Sequence, residues 1–146
     1  MRAVVTRVSC ASVEIEGEIR GKIDRGFLVL LGIRKNDTEK DAVKLADKVC
    51  GLRVFEDENG KMNLNLEVAG GNVLVISQFT LYADCRGRRP GFTEAARPET
   101  AIPLYELFIN ECERRGFSVE RGEFGADMKV YSVNDGPVTL ILDTAE

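Results

Sequence analysis

Two uninterrupted apolar runs, Phe27–Ile33 and Val73–Ile76, constrain this chain's fold more than any other feature. Both fall far short of the ~20 apolar residues a membrane helix needs, and both lack the alternation of a strand with one wet face. They therefore read as strands buried on two sides, near the centre of a sheet. The second run continues through Ser77-Gln78-Phe79-Thr80-Leu81-Tyr82-Ala83. Taken as one strand over 73–83, it sets three polar side chains where burial is deepest. A period of two puts Ser77 and Phe79 on one face with Val75, and Gln78 and Thr80 on the other with Ile76 and Tyr82. A buried hydroxyl or amide left unpaired costs about 1–3 kcal/mol, so these groups need partners or a ligand.

Around these runs the pattern is mostly β. Arg2–Val8 and Ser12–Ile15 are strand-like, Gly17-Glu18 supplies a turn, and Ile19–Ile23 returns. Thr38 followed by Asp41 reads as a helix start, and Ala42, Leu45, Ala46, Val49 and Leu52 then recur at helical spacing, predicting a helix from about Glu39 to about Gly51. Arg53-Val54-Phe55 and Lys61–Leu66 read as short strands about the turn Asp57–Gly60. The stretch Ala83–Pro98 is loop-like, a second helix is predicted over Glu99–Arg115, and Phe117–Glu120, Met128–Val133 and Val138–Leu142 are strands. Asn134-Asp135-Gly136-Pro137 reads as the turn between the last two. Two helices among many short strand candidates, mostly joined by short turns, give an α+β fold, with a compact, mainly antiparallel, barrel-like sheet.

At 146 residues the chain has the size of a single domain, 1–146, and 44% hydrophobic with 30% charged residues is an ordinary globular composition. Between Arg2 and the next charge at Arg7 the N-terminus offers only the four-residue stretch Ala3–Thr6, too short for a signal peptide, so a cytoplasmic location is expected. Net charge is −4, which argues against nonspecific coating of nucleic acid but leaves room for a local basic site.

The absence of histidine removes more chemistry than any motif adds. Imidazole-based nucleophile activation, general-base schemes and His-ligated zinc are all excluded. Cys10, Cys50, Cys85 and Cys112 are widely spaced, without a Cys-x-x-Cys pair, and no carboxylate cluster has ligand spacing. No metal or cofactor is expected. No Gly-x-Gly-x-x-Gly or Gly-Lys-Ser/Thr loop points to a nucleotide fold. Ser77, Gln78 and Thr80 are then either ordinary strand-end polar groups or a site in which a hydroxyl acts as nucleophile and Gln78 donates to an oxyanion. The Arg86-Gly87-Arg88-Arg89 loop, with Arg97 nearby, reads as a solvated charge run or as a phosphate-binding surface. Phe124-Gly125-Ala126-Asp127-Met128 reads as a bulge or turn entering a strand, whose Phe and Met are also suited to line a pocket for a base.

Ser77-Gln78-Phe79-Thr80-Leu81 together with Asn134-Asp135-Gly136-Pro137-Val138-Thr139 resembles the two signature motifs of the D-aminoacyl-tRNA deacylases, also called D-tyrosyl-tRNA deacylases. The likeness runs through Met1–Val5, Leu45–Lys48, Gly51–Phe55, Gly60–Asn63 and Gly125–Met128. It implies the deacylase fold, a homodimer with active sites at the interface, and hydrolysis of the ester between a D-amino acid and the terminal adenosine of tRNA. Ser77, Gln78, Phe79 and Thr80 would be the catalytic pocket. Gly136-Pro137 would be a cis peptide that reaches into the partner's pocket and holds the substrate's α-amino group. An L side chain would then point into backbone, while glycine, lacking one, would escape exclusion. With no histidine present, the resemblance favours catalysis through the ribose 2′-hydroxyl over a Thr80 nucleophile. Arg86, Arg88 and Arg89 would contact tRNA, although Cys85 and Gly91 stand where Thr and Ser are usual in the family. Two rival readings remain: a Thr80 or Ser77 esterase acting on small substrates, and an RNA- or nucleotide-binding accessory protein without catalysis, such as a DNA-unwinding accessory.

Overall fold

Both apolar runs form strands at the middle of one six-stranded sheet in the computed structural model, which describes residues 1–146. The chain order is β1 (Arg2–Ile15), β2 (Glu18–Ile23), β3 (Gly26–Gly32), α1 (Glu39–Cys50), β4 (Phe55–Glu56), β5 (Met62–Leu64), β6 (Asn72–Ser77), α2 (Pro98–Arg114), β7 (Ser118–Arg121) and β8 (Lys129–Asp143). Across the sheet the strands run β2-β1-β3-β6-β7, and β8 pairs with β1 along nearly its whole length. Antiparallel pairings predominate, as expected, but β6 lies parallel to both β3 and β7. The sheet is therefore mixed and nearly closed. β4 and β5 form a separate small ribbon.

Alternate side chains of β3 and β6 enter two apolar clusters, which is why neither strand shows polar alternation. Phe27, Val29, Leu31, Val73 and Val75 join the larger cluster with the inner faces of α1 and α2. Leu28, Leu74 and Ile76 join a smaller one with Val8, Val13 and Ile23. Burying each such side chain stabilises the fold by about 1.5–3 kcal/mol. The first helix follows its predicted bounds closely: the Asp41 carboxylate accepts the Thr38 backbone N–H at 2.9 Å and fixes its start. Cys50 and Cys112 are buried free thiols in the larger cluster. No helix is long and apolar enough to cross a membrane.

Three expectations are corrected. The strand through Ser77 does not continue to Ala83, because Phe79–Tyr82 forms a turn of 3₁₀ helix. The two-faced assignment of Gln78 and Thr80 falls with it. Burial is deepest at Val73–Ile76 and declines from Ser77 on, so the polar residues sit where the chain surfaces. Arg53 and Val54 lie outside the short strand, which begins at Phe55. Finally, Asn134–Pro137 is no hairpin turn but a bulge inside the continuous strand β8. Thr139 pairs with Thr6 and Asn134 with Val8, so four residues of β8 stand opposite Arg7 alone.

Candidate active site

The carboxyl ends of parallel strands are where open sheets usually hold ligands, since the chain leaves the sheet there and opens a crevice. In this molecule β3 and β6 end side by side, with Leu31 paired to Ser77 and the Gln78 N–H donating to the Leu31 carbonyl at 2.8 Å. The 3₁₀ turn then packs back onto β3 at Gly32. A Cβ added there would lie 2.9 Å from the Leu81 Cβ and 3.1 Å from the Gln78 carbonyl oxygen, so a side chain has no room.

Beyond these strand ends is a pocket of about 300 Å³. Ser77, Gln78 and Phe79 line it from the end of β6, and Phe124, Ala126 and Met128 line it from the segment that leads into β8. Leu31, Ile33, Ala96 and Ala101 complete an apolar floor. The reading of Phe124 and Met128 as pocket-lining residues is thus realised, on the loop that leads into β8. Tyr105 braces this wall from below: its ring meets Phe124 edge-on at 6.1 Å, and its buried hydroxyl donates to the Val75 carbonyl at 3.0 Å. Burial pushes the Tyr105 phenol up to about 12, which keeps it neutral.

The Gln78 amide donates to the Thr80 hydroxyl at 2.5 Å. Thr80 is exposed and lies outside the pocket lining. An amide N–H has no capacity to accept the hydroxyl proton, so Gln78 is no base for Thr80. Asp127, itself exposed, is the one carboxylate on the pocket wall. No group of three or more His, Cys, Asp or Glu side chains is arranged to share a metal ion.

The other sequence-singled residues lie elsewhere on the chain. Gly136-Pro137 is a cis peptide at the exposed crest of the β8 bulge and takes no part in lining its own chain's pocket. Asn134 clamps the bulge from inside: its Oδ1 accepts the Val138 N–H and its Nδ2 donates to the Thr139 hydroxyl, both at 2.9 Å. Arg7 holds it from β1. This side chain is buried, donating from Nε to the Asp135 carbonyl at 2.9 Å and from Nη1 to the Val54 carbonyl at 2.7 Å. Gly136 has φ +139°, and a Cβ there would meet Arg7 Nη2 at 3.0 Å, so glycine is required. Sequence reasoning missed Arg7. Its parity with the buried Ala3 and Val5 was the available signal, since that alternation turns Arg7 inward.

The basic loop is a small exposed ribbon closed by the Asp84–Gly91 bridge. Arg86 is held by the Asp84 carboxylate at 2.5 Å, which keeps that carboxyl below its ordinary range, whereas Arg88, Arg89 and Arg97 pair with no carboxylate.

The profile of the family described as "D-Tyr-tRNA(Tyr) deacylase" matches residues 4–143, all but the extreme ends of the chain. The chain belongs to that family. It is accordingly an enzyme of the hydrolase class. Proteins named D-aminoacyl-tRNA deacylase from Thermus aquaticus and Thermosipho africanus are 58% and 57% identical to it, covering 100% and 99% of this chain and 97% of each relative. A solved structure titled "c-Myc DNA Unwinding Element Binding Protein" is 40% identical and superposes with a TM-score of 0.92 over 99% of both chains. Within this deacylase family member, the first signature motif builds the pocket wall and the second builds the β8 bulge, with β3 and β1 between them in the sheet.

Proposed function

We propose that this chain hydrolyses the ester joining a D-amino acid to the 3′-terminal adenosine of tRNA, a chiral proofreading reaction. The observation that carries the reading is the pocket at the ends of β3 and β6: polar at Ser77 and Gln78, apolar at Phe124 and Met128, and without a paired base for a protein nucleophile. Adenine lies against Phe124 and Met128, which places the ester beside Ser77, Gln78 and Phe79. The ribose 2′-hydroxyl assists the attack, and the groups of the 77–80 turn position water and stabilise the developing oxyanion.

A second copy of the chain completes this pocket. Gly136 and Pro137 are exposed on their own chain, and β8 also exposes Tyr131, Val133 and Ile141, apolar surface of the kind that subunit contacts cover. Inserted into the partner's pocket, the carbonyls of Gly136 and Pro137 hold the α-ammonium. With ammonium and ester both fixed, an L side chain collides with backbone and a D side chain points outward. Glycine passes the same test, so glycine mischarged on tRNA(Ala) is a further substrate. Arg86, Arg88 and Arg89 contact the acceptor backbone.

The test is release of labelled tyrosine from D-tyrosyl-tRNA against L-tyrosyl-tRNA. Rapid release confined to the D ester is the expected result. Equal turnover of a simple D-tyrosine ester would make the chain a small-substrate esterase. Binding of nucleic acid without any release would favour the accessory reading, to which the name of the 40% identical structure also speaks.

A further inference from the structure

The pocket opens sideways into a second depression of about 390 Å³, with which it shares Phe79, Ala96, Phe124 and Gly125. Phe92 and Arg97 line this groove and not the pocket itself. Phe79 and Phe92 meet edge-to-face with centroids 5.1 Å apart, and they remain 54% and 38% exposed. Two aromatic rings exposed beside a polar site are costly to leave in water without a use.

The groove is built in advance. Phe92 follows directly on the Asp84–Gly91 bridge that closes the basic ribbon. The segment after it is stitched to the end of β3, with Ala96 N–H donating to the Ile33 carbonyl at 2.9 Å and Lys35 N–H to the Glu94 carbonyl at 3.0 Å. Arg97 stands at the start of α2 with its guanidinium free of any carboxylate. Flat aromatic faces with an unpaired guanidinium on the rim form the combination that single-stranded nucleic acid uses, base on ring and phosphate on cation. An apolar peptide or an acyl chain would leave Arg97 unmatched, whereas a phosphodiester supplies its partner.

We propose that this groove is a second nucleotide subsite, in which Phe92, held edge-to-face by Phe79, stacks the pyrimidine that precedes the terminal adenosine while Arg97 faces the phosphate between the two. The inference rests on the deacylase reading, because it takes the adenosine ester to occupy the adjoining pocket. The shared wall fixes the direction: a strand whose 3′ end lies at Ser77 has its next residue 5′ on the Phe92 side of Phe79.

The experiment compares kcat/KM for D-tyrosyl-adenosine with that for D-tyrosyl-cytidylyl-adenosine, using the full chain, Phe92→Ala and Phe92→Trp. In the unaltered chain the dinucleotide ester is turned over with a kcat/KM about tenfold higher or more, as stacking of one base on an aromatic ring gives. Phe92→Ala brings that ratio toward one, and Phe92→Trp keeps it. A ratio near one in the unaltered chain overturns the proposal, as does a ratio that Phe92→Ala leaves intact. If Phe92→Ala instead changes the native mass of the protein, the groove is a contact between copies and the proposal falls. No turnover of either ester overturns the deacylase reading itself, a result distinct from turnover without length preference.

Discussion

Thr80 shows how far a residue's role depends on its hydrogen-bond partner. Its hydroxyl accepts from the Gln78 amide and has no base within reach, so it is a poor nucleophile and a good spacer. Thr80→Ala is therefore expected to retain deacylation within about tenfold, less than the 10²–10⁴ that a general acid or base contributes. A D-tyrosyl-tRNA lacking the terminal 2′-hydroxyl is expected to lose it. Single-turnover rates with the opposite pattern would return Thr80 to the nucleophile's role. The residues of the pocket wall were legible in the sequence because polar groups directly after an apolar strand are conspicuous. Arg7 was not, since an arginine in an edge-like N-terminal strand reads as solvated, and its carbonyl partners at Val54 and Asp135 are 47 and 128 residues away.

Among the elements, the turn at Phe79–Tyr82 brings Phe79 to the pocket and depends on Gly32. Gly32→Ala places a methyl group 2.9 Å from the Leu81 Cβ and pushes the turn off β3. The expected cost is about 1–3 kcal/mol of stability, as for other overpacked positions, together with a loss of kcat/KM beyond what the unfolded fraction explains. Urea denaturation alongside kinetics measures both, and unchanged values in each would show that the turn tolerates displacement. The strands β3 and β6 and both helices were legible because period and apolar content agree there. The strand-to-turn switch after Ser77 was not, because Phe79, Thr80 and Tyr82 favour strands, whereas the close packing of the turn on Gly32 is a tertiary contact. The β8 bulge was hidden for the converse reason: Asn, Asp, Gly and Pro are turn formers, yet Arg7 and Asn134 hold them within a ladder.

At the scale of the whole molecule, a net charge of −4 makes the exposed arginine ribbon a local attraction on a mildly repulsive body. Replacing Arg88 and Arg89 with Gln is expected to raise KM for D-tyrosyl-tRNA and to lower the slope of log affinity against log salt by about one per lost phosphate contact. A slope equal to that of the unaltered chain would remove these residues from the tRNA surface. The pairing of β1 with β8 carries a consequence for biosynthesis. One edge of β1 binds β3 and β2, while the other waits for a strand more than a hundred residues later, with Arg2 finally opposite Asp143. Until residues 129–143 have left the ribosome, a fourteen-residue strand edge stays open to pairing with another nascent chain. Synthesis of the final strand thus seals the sheet edge most exposed to aggregation and, in the same step, sets Gly136 and Pro137 in place.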